Sequence, residues 1–121
     1  MSLAIRSLRP FIGTKDFSLS CRFYRELGFE EVPLEKGLHL FQSGQFAFYL
    51  QDARVDEWID NTMLFVEVES VEDFWSYINQ LDLETRFPGV RLKPIVKRPW
   101  GKECFVHDPS GILWHFGSFA S

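Results

Sequence analysis

One arrangement of apolar residues occurs twice along this chain, and it limits the possible folds more than any other feature. In the first half, Leu19, Phe23 and Leu27 recur every four residues and mark one face of a helix over 17–27. Asp16 stands where an N-cap is wanted and Gly28 where a left-handed C-cap is wanted. A strand is expected before this helix, at Ser7 to Thr14, with Pro10 marking an edge or an irregularity. Three more are expected after it: Phe29 to Leu34, Leu38 to Gln42, and Gln45 to Leu50, the last two joined by a tight turn at Ser43-Gly44.

The second half repeats the order. Thr62 to Glu69 alternates, with Met63, Phe65, Glu67 and Glu69 on one face and Leu64, Val66 and Val68 on the other. Ser70-Val71-Glu72-Asp73 is close to a capping box, and Val71, Phe74, Trp75, Ile78 and Leu81 follow at helical spacing. Strands then fit Val90 to Lys97, Glu103 to His107 and Ile112 to Gly117. Asp108-Pro109-Ser110-Gly111 has Pro second and Gly fourth, as a type I turn favours.

The chain therefore reads as β-α-β-β-β twice, in modules at about 5–50 and 62–118 joined by a polar linker at 51–61. Its 121 residues suit a single domain. The expected class is α+β: a curved eight-stranded mixed sheet with both helices packed on its outer face. The concave face of such a sheet is where a ligand belongs.

Composition narrows the partners. A formal charge of −4, with the 13 basic residues scattered, argues against a nucleic-acid binder. No apolar run has the length of a membrane span. Cys21 and Cys104 lie far apart with no CxxC, and no apolar leader opens the chain, so a reducing, cytoplasmic setting is expected. Aromatics make up 17% of the residues; most are core material, and the surplus would suit a cleft for flat ligands.

Several short pieces carry a family resemblance. They are Lys15-Asp16, Phe23-Tyr24 and Leu27-Gly28-Phe29 in the first half. In the second they are Asp60-Asn61-Thr62, Pro99-Trp100-Gly101 and Asp108-Pro109-Ser110-Gly111. In this order and spacing the chain resembles the glyoxalase/bleomycin resistance/dioxygenase superfamily, the vicinal oxygen chelate proteins, over nearly its whole length. The Asp-Asn-Thr and Pro-Trp-Gly pieces look most like the bleomycin resistance proteins. That resemblance implies a non-enzymatic homodimer, with an exchanged N-terminal strand, that sequesters a drug in clefts between subunits and so confers antibiotic resistance.

The metal enzymes of the superfamily place His, Gln or Glu on inward-facing strand positions. Here the matching position on the first strand falls at Arg9, and the fifth strand offers Thr62-Met63-Leu64-Phe65. On the last strand His115 replaces the usual Glu. One donor of three cannot hold a divalent ion, so no metal and no cofactor are expected.

The expected ligand is a small molecule, bleomycin-like or another aromatic or cationic compound. Trp100, at the mouth of a hairpin, is the leading candidate for a stacking platform. Phe65 and Glu67 add apolar area and a negative charge on the alternating face of the fifth strand, and His115 is an inward-facing cleft candidate. Leu38 stands near where the resistance proteins carry an aromatic that completes a stacking clamp. Leucine cannot stack, and Phe41 is the aromatic that could take its place. His107 and Asp108 are adjacent, so they point apart and make no acid–base pair. Cys104 and His107, three apart on one strand, also face oppositely. The alternative reading is a lyase, isomerase or dioxygenase on the same fold; a third is a subunit that presents a ligand or partner protein.

Overall fold

The computed structural model describes residues 2–120. Its first helix, α1 (Phe17–Leu27), forms where the apolar spacing requires it. The Asp16 side chain accepts a hydrogen bond from the Leu19 amide at 3.1 Å, and Gly28 closes the other end at φ 122°, a conformation costly for any residue with a Cβ. The apolar stripe of α1 delivers Phe23, Tyr24 and Leu27 into the core.

Four strands belong to the first half: β1 (Phe11–Ile12), β2 (Glu30–Glu35), β3 (Leu38–Ser43) and β4 (Phe46–Gln51). They form one sheet in the order β1-β4-β3-β2, with β1 parallel to β4 and the other pairs antiparallel. The second half gives β5 (Met63–Glu67), β6 (Arg91–Arg98), β7 (Gly101–His107) and β8 (Leu113–Phe119). These form a second sheet in the equivalent order β5-β8-β7-β6, again with one parallel pair, β5 with β8. The eight strands thus divide into two mixed four-stranded sheets that do not close on each other. Helix α3 (Val71–Asn79), capped by Ser70 Oγ on the Asp73 amide at 3.1 Å, packs on β6, β7 and β8.

Three features differ from the sequence expectation. The first strand is two residues long rather than eight. Residues 2–10 lie exposed outside it; Pro10 has no N–H to give, though its carbonyl accepts from the Tyr49 amide at 2.9 Å. The polar linker contains a short helix, α2 (Asp56–Asp60), that buries Ile59. A further turn of helix, α4 (Leu83–Arg86), follows α3, which ends two residues before Leu81.

The two halves meet through aromatic packing around Tyr24. Its ring lies 5.0 Å from Phe48 of β4 and 5.7 Å from Trp114 of β8. The Tyr24 hydroxyl donates to Asp108 Oδ2 at 2.6 Å and accepts from Trp114 Nε1 at 2.8 Å. Asp108 Oδ1 accepts from the Ser110 and Ile112 amides, both at 2.9 Å, and the Gly111 amide closes the expected turn on the Asp108 carbonyl at 3.0 Å. Asp108 is fully buried, so every one of these partners matters. Burial raises its carboxyl above the usual value; the Tyr24 hydroxyl and the turn amides oppose this without cancelling it.

Candidate functional site

Alternation along β5 sets up the open face of the second sheet. Leu64 and Val66 turn toward the core, while Met63, Phe65 and Glu67 turn outward and are exposed. The register places Phe65 opposite His115, which faces Phe105 on β7. One step along, Glu67 lies opposite Gly117, which faces Glu103. Opposite the helices, then, the sheet shows aromatic rings, a bare glycine and two carboxylates.

Trp100 reaches this face from the β6–β7 turn. Arg98 pairs with Gly101, so Pro99-Trp100 is a two-residue loop. The Trp100 ring packs edge-on to Phe65 at 5.6 Å and tilted against Phe119 at 5.1 Å, and Phe65 lies 5.9 Å from Phe119. The Trp100 carbonyl accepts from the Ala120 amide at 2.9 Å, which ties the hairpin tip to the end of β8. Gly117 makes room for the cluster: a Cβ there would lie 3.0 Å from the Phe65 ring and 2.9 Å from the Lys102 carbonyl. Trp100, Phe65 and Phe119 form a half-exposed aromatic shelf with Glu67 at its border.

Beside the shelf is a polar cluster that the sequence reading missed in part. His115 Nδ1 lies 2.9 Å from Glu103 Oε1, and Arg98 Nε donates to Glu103 Oε2 at 2.8 Å. Burial alone would raise the Glu103 carboxyl; the hydrogen bonds and charges of His115 and Arg98 outweigh it and hold the group below the ordinary carboxylate value. Phe105 packs edge-on to His115 at 5.1 Å. Glu103 and Phe105 share a face of β7 and neighbour His115 across the strand gap on β8; period-two alternation on β7 was the signal that could have found the first two.

Leu38 and Phe41 are on the first sheet. Leu38 begins β3 opposite Gln51 and is half-buried. Phe41 is fully buried, stacked on Phe48 at 5.7 Å and packed against Tyr24 at the same distance. It faces α1, on the side of the sheet away from Leu38, because strand neighbours three apart point oppositely. Phe41 is therefore a core residue, and the expectation that it completes a clamp is corrected. The open face of the first sheet instead carries Phe11 stacked on Tyr49 at 4.6 Å, with Arg9 Nη1 donating to the Tyr49 hydroxyl at 3.1 Å. A groove of about 570 Å³ runs along β5, lined by Phe29, Phe46, Phe74 and Phe116 and, on the shelf side, by Phe65 and Glu67.

The positions weighed above as metal ligands are Arg9, Met63, Phe65 and His115. Arg9 is engaged with Tyr49, Met63 and Phe65 offer no donor of use, and the His115–Glu103 pair is tied to the Arg98 guanidinium. Among the described residues no third His, Cys, Asp or Glu donor joins this pair, and two donors do not suffice for a divalent ion. Cys104 points to the opposite face, among core residues, and burial pushes its thiol up to about 11. His107 and Asp108 part as expected: Asp108 turns inward to Tyr24, and His107 lies on the open side, its pKa lowered by burial and by Arg91 and Lys93.

No protein-family model matches the chain, and no curated protein matches it. Solved structures do. The bleomycin-binding protein from bleomycin-producing Streptomyces verticillus, solved with copper(II)-bleomycin, superposes with a TM-score of 0.81 at 21% identity, covering 98% of this chain and 100% of that one. A bleomycin resistance determinant encoded on the transposon Tn5 gives 0.80 at 19% identity, over 97% and 100%. An antibiotic-binding protein from a Streptomyces strain gives 0.76 at 16% identity, over 98% and 100%. The chain has the bleomycin-binding protein fold. Among the described residues no helix is long and apolar enough to cross a membrane.

Proposed function

We propose that this chain is a small-molecule binder, related to the bleomycin resistance proteins, that takes a flat aromatic or cationic ligand on the open face of its second sheet without a metal. The observation that carries the reading is the shelf of Trp100, Phe65 and Phe119 beside Glu67. Solvent-facing aromatics held in fixed geometry offer stacking area at little entropic cost, and a carboxylate at the border attracts a cationic ligand. The fold neighbours named for binding bleomycin and antibiotics support the same class of ligand. Leu38, in place of an aromatic, argues for a partner other than bleomycin itself.

The proposed binder is a homodimer. Leu3, Ile5 and Leu8 are 78%, 68% and 92% exposed in an arm without a sheet partner, and Met63, Phe65 and Phe119 are exposed on the open face. A second copy would cover these surfaces, with the N-terminal arm exchanged as the extra strand. Two buried free thiols suit a cytoplasmic setting.

Binding of a panel of aromatic and cationic compounds, bleomycin included, followed by tryptophan fluorescence, tests the proposal. A saturable change that disappears in Trp100→Phe supports it. The Glu103–His115 pair favours a second reading, acid–base catalysis beside the shelf. Turnover of any panel compound that His115→Gln abolishes and Trp100→Ala leaves intact would establish that reading instead.

A further inference from the structure

Under α1, on the covered side of the first sheet, three donor atoms of different kinds converge. Cys21 Sγ, from α1, lies 3.8 Å from His39 Nδ1 on β3, and Glu31 Oε2, on β2, lies 2.6 Å from that same nitrogen. All three donor atoms are within 4.8 Å of one another. The set lies among α1, β2 and β3, away from the shelf, which is built from β5, β8 and the β6–β7 turn.

The shared nitrogen decides between two chemistries. A thiol–imidazole–carboxylate relay needs the two imidazole nitrogens to face different partners. Here Nδ1 faces both, so His39 cannot pass a proton from Cys21 to Glu31. Lone pairs from sulfur, nitrogen and oxygen meeting at one point are instead what a metal ion requires. A tetrahedral zinc with ordinary bond lengths would set sulfur and nitrogen about 3.6 Å apart, close to the observed separation. It would set the nitrogen and the carboxylate oxygen about 3.4 Å apart, so Glu31 would have to draw back by roughly 0.8 Å.

The surroundings already resemble an outer shell. Arg25 donates to the other Glu31 oxygen, orienting the carboxylate, and Phe17 packs edge-on to the His39 ring at 4.9 Å. The side chains of His39 and Glu31 keep 21% and 14% of their exposure, which leaves a path for an ion and for a water as fourth ligand. Burial first, and Glu31 next, push the Cys21 thiol up to about 12, so it is a poor nucleophile and an incoming ion must displace its proton.

The geometry points to a site for a borderline-soft divalent cation, Zn²⁺ foremost, held by Cys21, Glu31 and His39 and clamping α1 to β2 and β3. This departs from the sequence expectation of no metal, which rested on the inward-facing strand positions; these three donors lie on the opposite side of the sheet. Titration of the tag-free full chain with Co²⁺ tests it. One equivalent should bind, with a thiolate-to-cobalt charge-transfer band and tetrahedral visible bands that Zn²⁺ displaces. Cys21→Ser should remove the charge-transfer band and weaken binding by more than the roughly 100-fold upper end seen for outer-shell changes. His39→Ala should weaken it comparably, while Cys104→Ala should bind as the native chain does. Circular dichroism confirms that each variant is folded. No cobalt uptake by the native chain overturns the proposal, as does a charge-transfer band that survives Cys21→Ser or is lost in Cys104→Ala.

Discussion

The two sheets share a strand order but place their polar chemistry on opposite sides. In the first sheet the His39–Glu31 pair lies beneath α1, next to a buried thiol. In the second sheet the His115–Glu103 pair lies on the face away from α3, next to an aromatic shelf. Each pair joins neighbouring antiparallel strands, β2 with β3 and β7 with β8, and each carboxylate also pairs with an arginine, Arg25 or Arg98. What differs is the parity of the strand positions. A one-residue change of face turns the same pair from a covered polar pocket into the floor of an open surface. Duplicated architecture therefore does not duplicate surface chemistry, and under the proposed function the sheet with its polar pair outward is the one that receives the ligand.

The largest effect is expected where the two sheets are joined, at a residue belonging to neither face. Asp108→Ala leaves the Tyr24 hydroxyl and the Ser110 and Ile112 amides without their buried acceptor. Denaturant unfolding should show a loss of about 3 kcal/mol or more. A loss below about 1 kcal/mol would mean that the halves are held by apolar packing alone.

Trp100→Ala should separate binding from stability on the second sheet. Affinity for a stacked aromatic ligand should fall by about 1–3 kcal/mol. Unfolding free energy should fall by less than about 1 kcal/mol, since the ring packs at a hairpin tip and not in the core. Unfolding of this variant would make Trp100 structural. His115→Ala should be milder still, weakening the same ligand by less than about tenfold.

The smallest expected effect concerns pH. The folded Glu103 carboxyl lies below its usual value of 4.5, so its stabilising contribution is complete above that value and is lost as pH falls through the lower folded value. Glu31 is depressed in the same sense: burial opposes the shift, and hydrogen bonds from His39 and Arg25 win. Glu103→Gln and Glu31→Gln should each flatten the acid side of the stability curve, measured by thermal unfolding from pH 6 to pH 3. An unchanged acid limb in Glu103→Gln would show that the pair contributes nothing to folding.

Much of the scaffold was legible in the sequence because periodicity and capping are local. α1, the start of α3, the Asp108 turn and the outward face of β5 all follow from spacing and from a few cap and turn residues. The length of β1 was not legible, because Ser7 to Arg9 carry strand-like residues but join no strand ladder, and Pro10 contributes only its carbonyl, to the Tyr49 amide. Phe41 was misplaced because, although its spacing from Leu38 already puts the two on opposite faces, which of those faces α1 covers is a tertiary fact. His39 was missed for the same reason, since Glu31 on a neighbouring strand completes it and pairing register is not written in either strand alone; alternation along β7 exposes the face of Glu103, but not its pairing with His115. Trp100, fixed by Pro99 and Gly101 in a two-residue loop, needed no such knowledge.

The most direct measurement of the division between the sheets is backbone and tryptophan side-chain NMR during titration with a ligand found in the panel. Shifts are expected to concentrate at Phe65, Glu67, Trp100, Gly117 and Phe119, with the Trp100 indole signal among the largest, and with His39 and Cys21 unmoved. Shifts at Phe29, Phe46 and Phe74 together with Phe65 and Glu67, all of which line the groove, with Gly117, Phe119 and the Trp100 indole unchanged, would contradict the account.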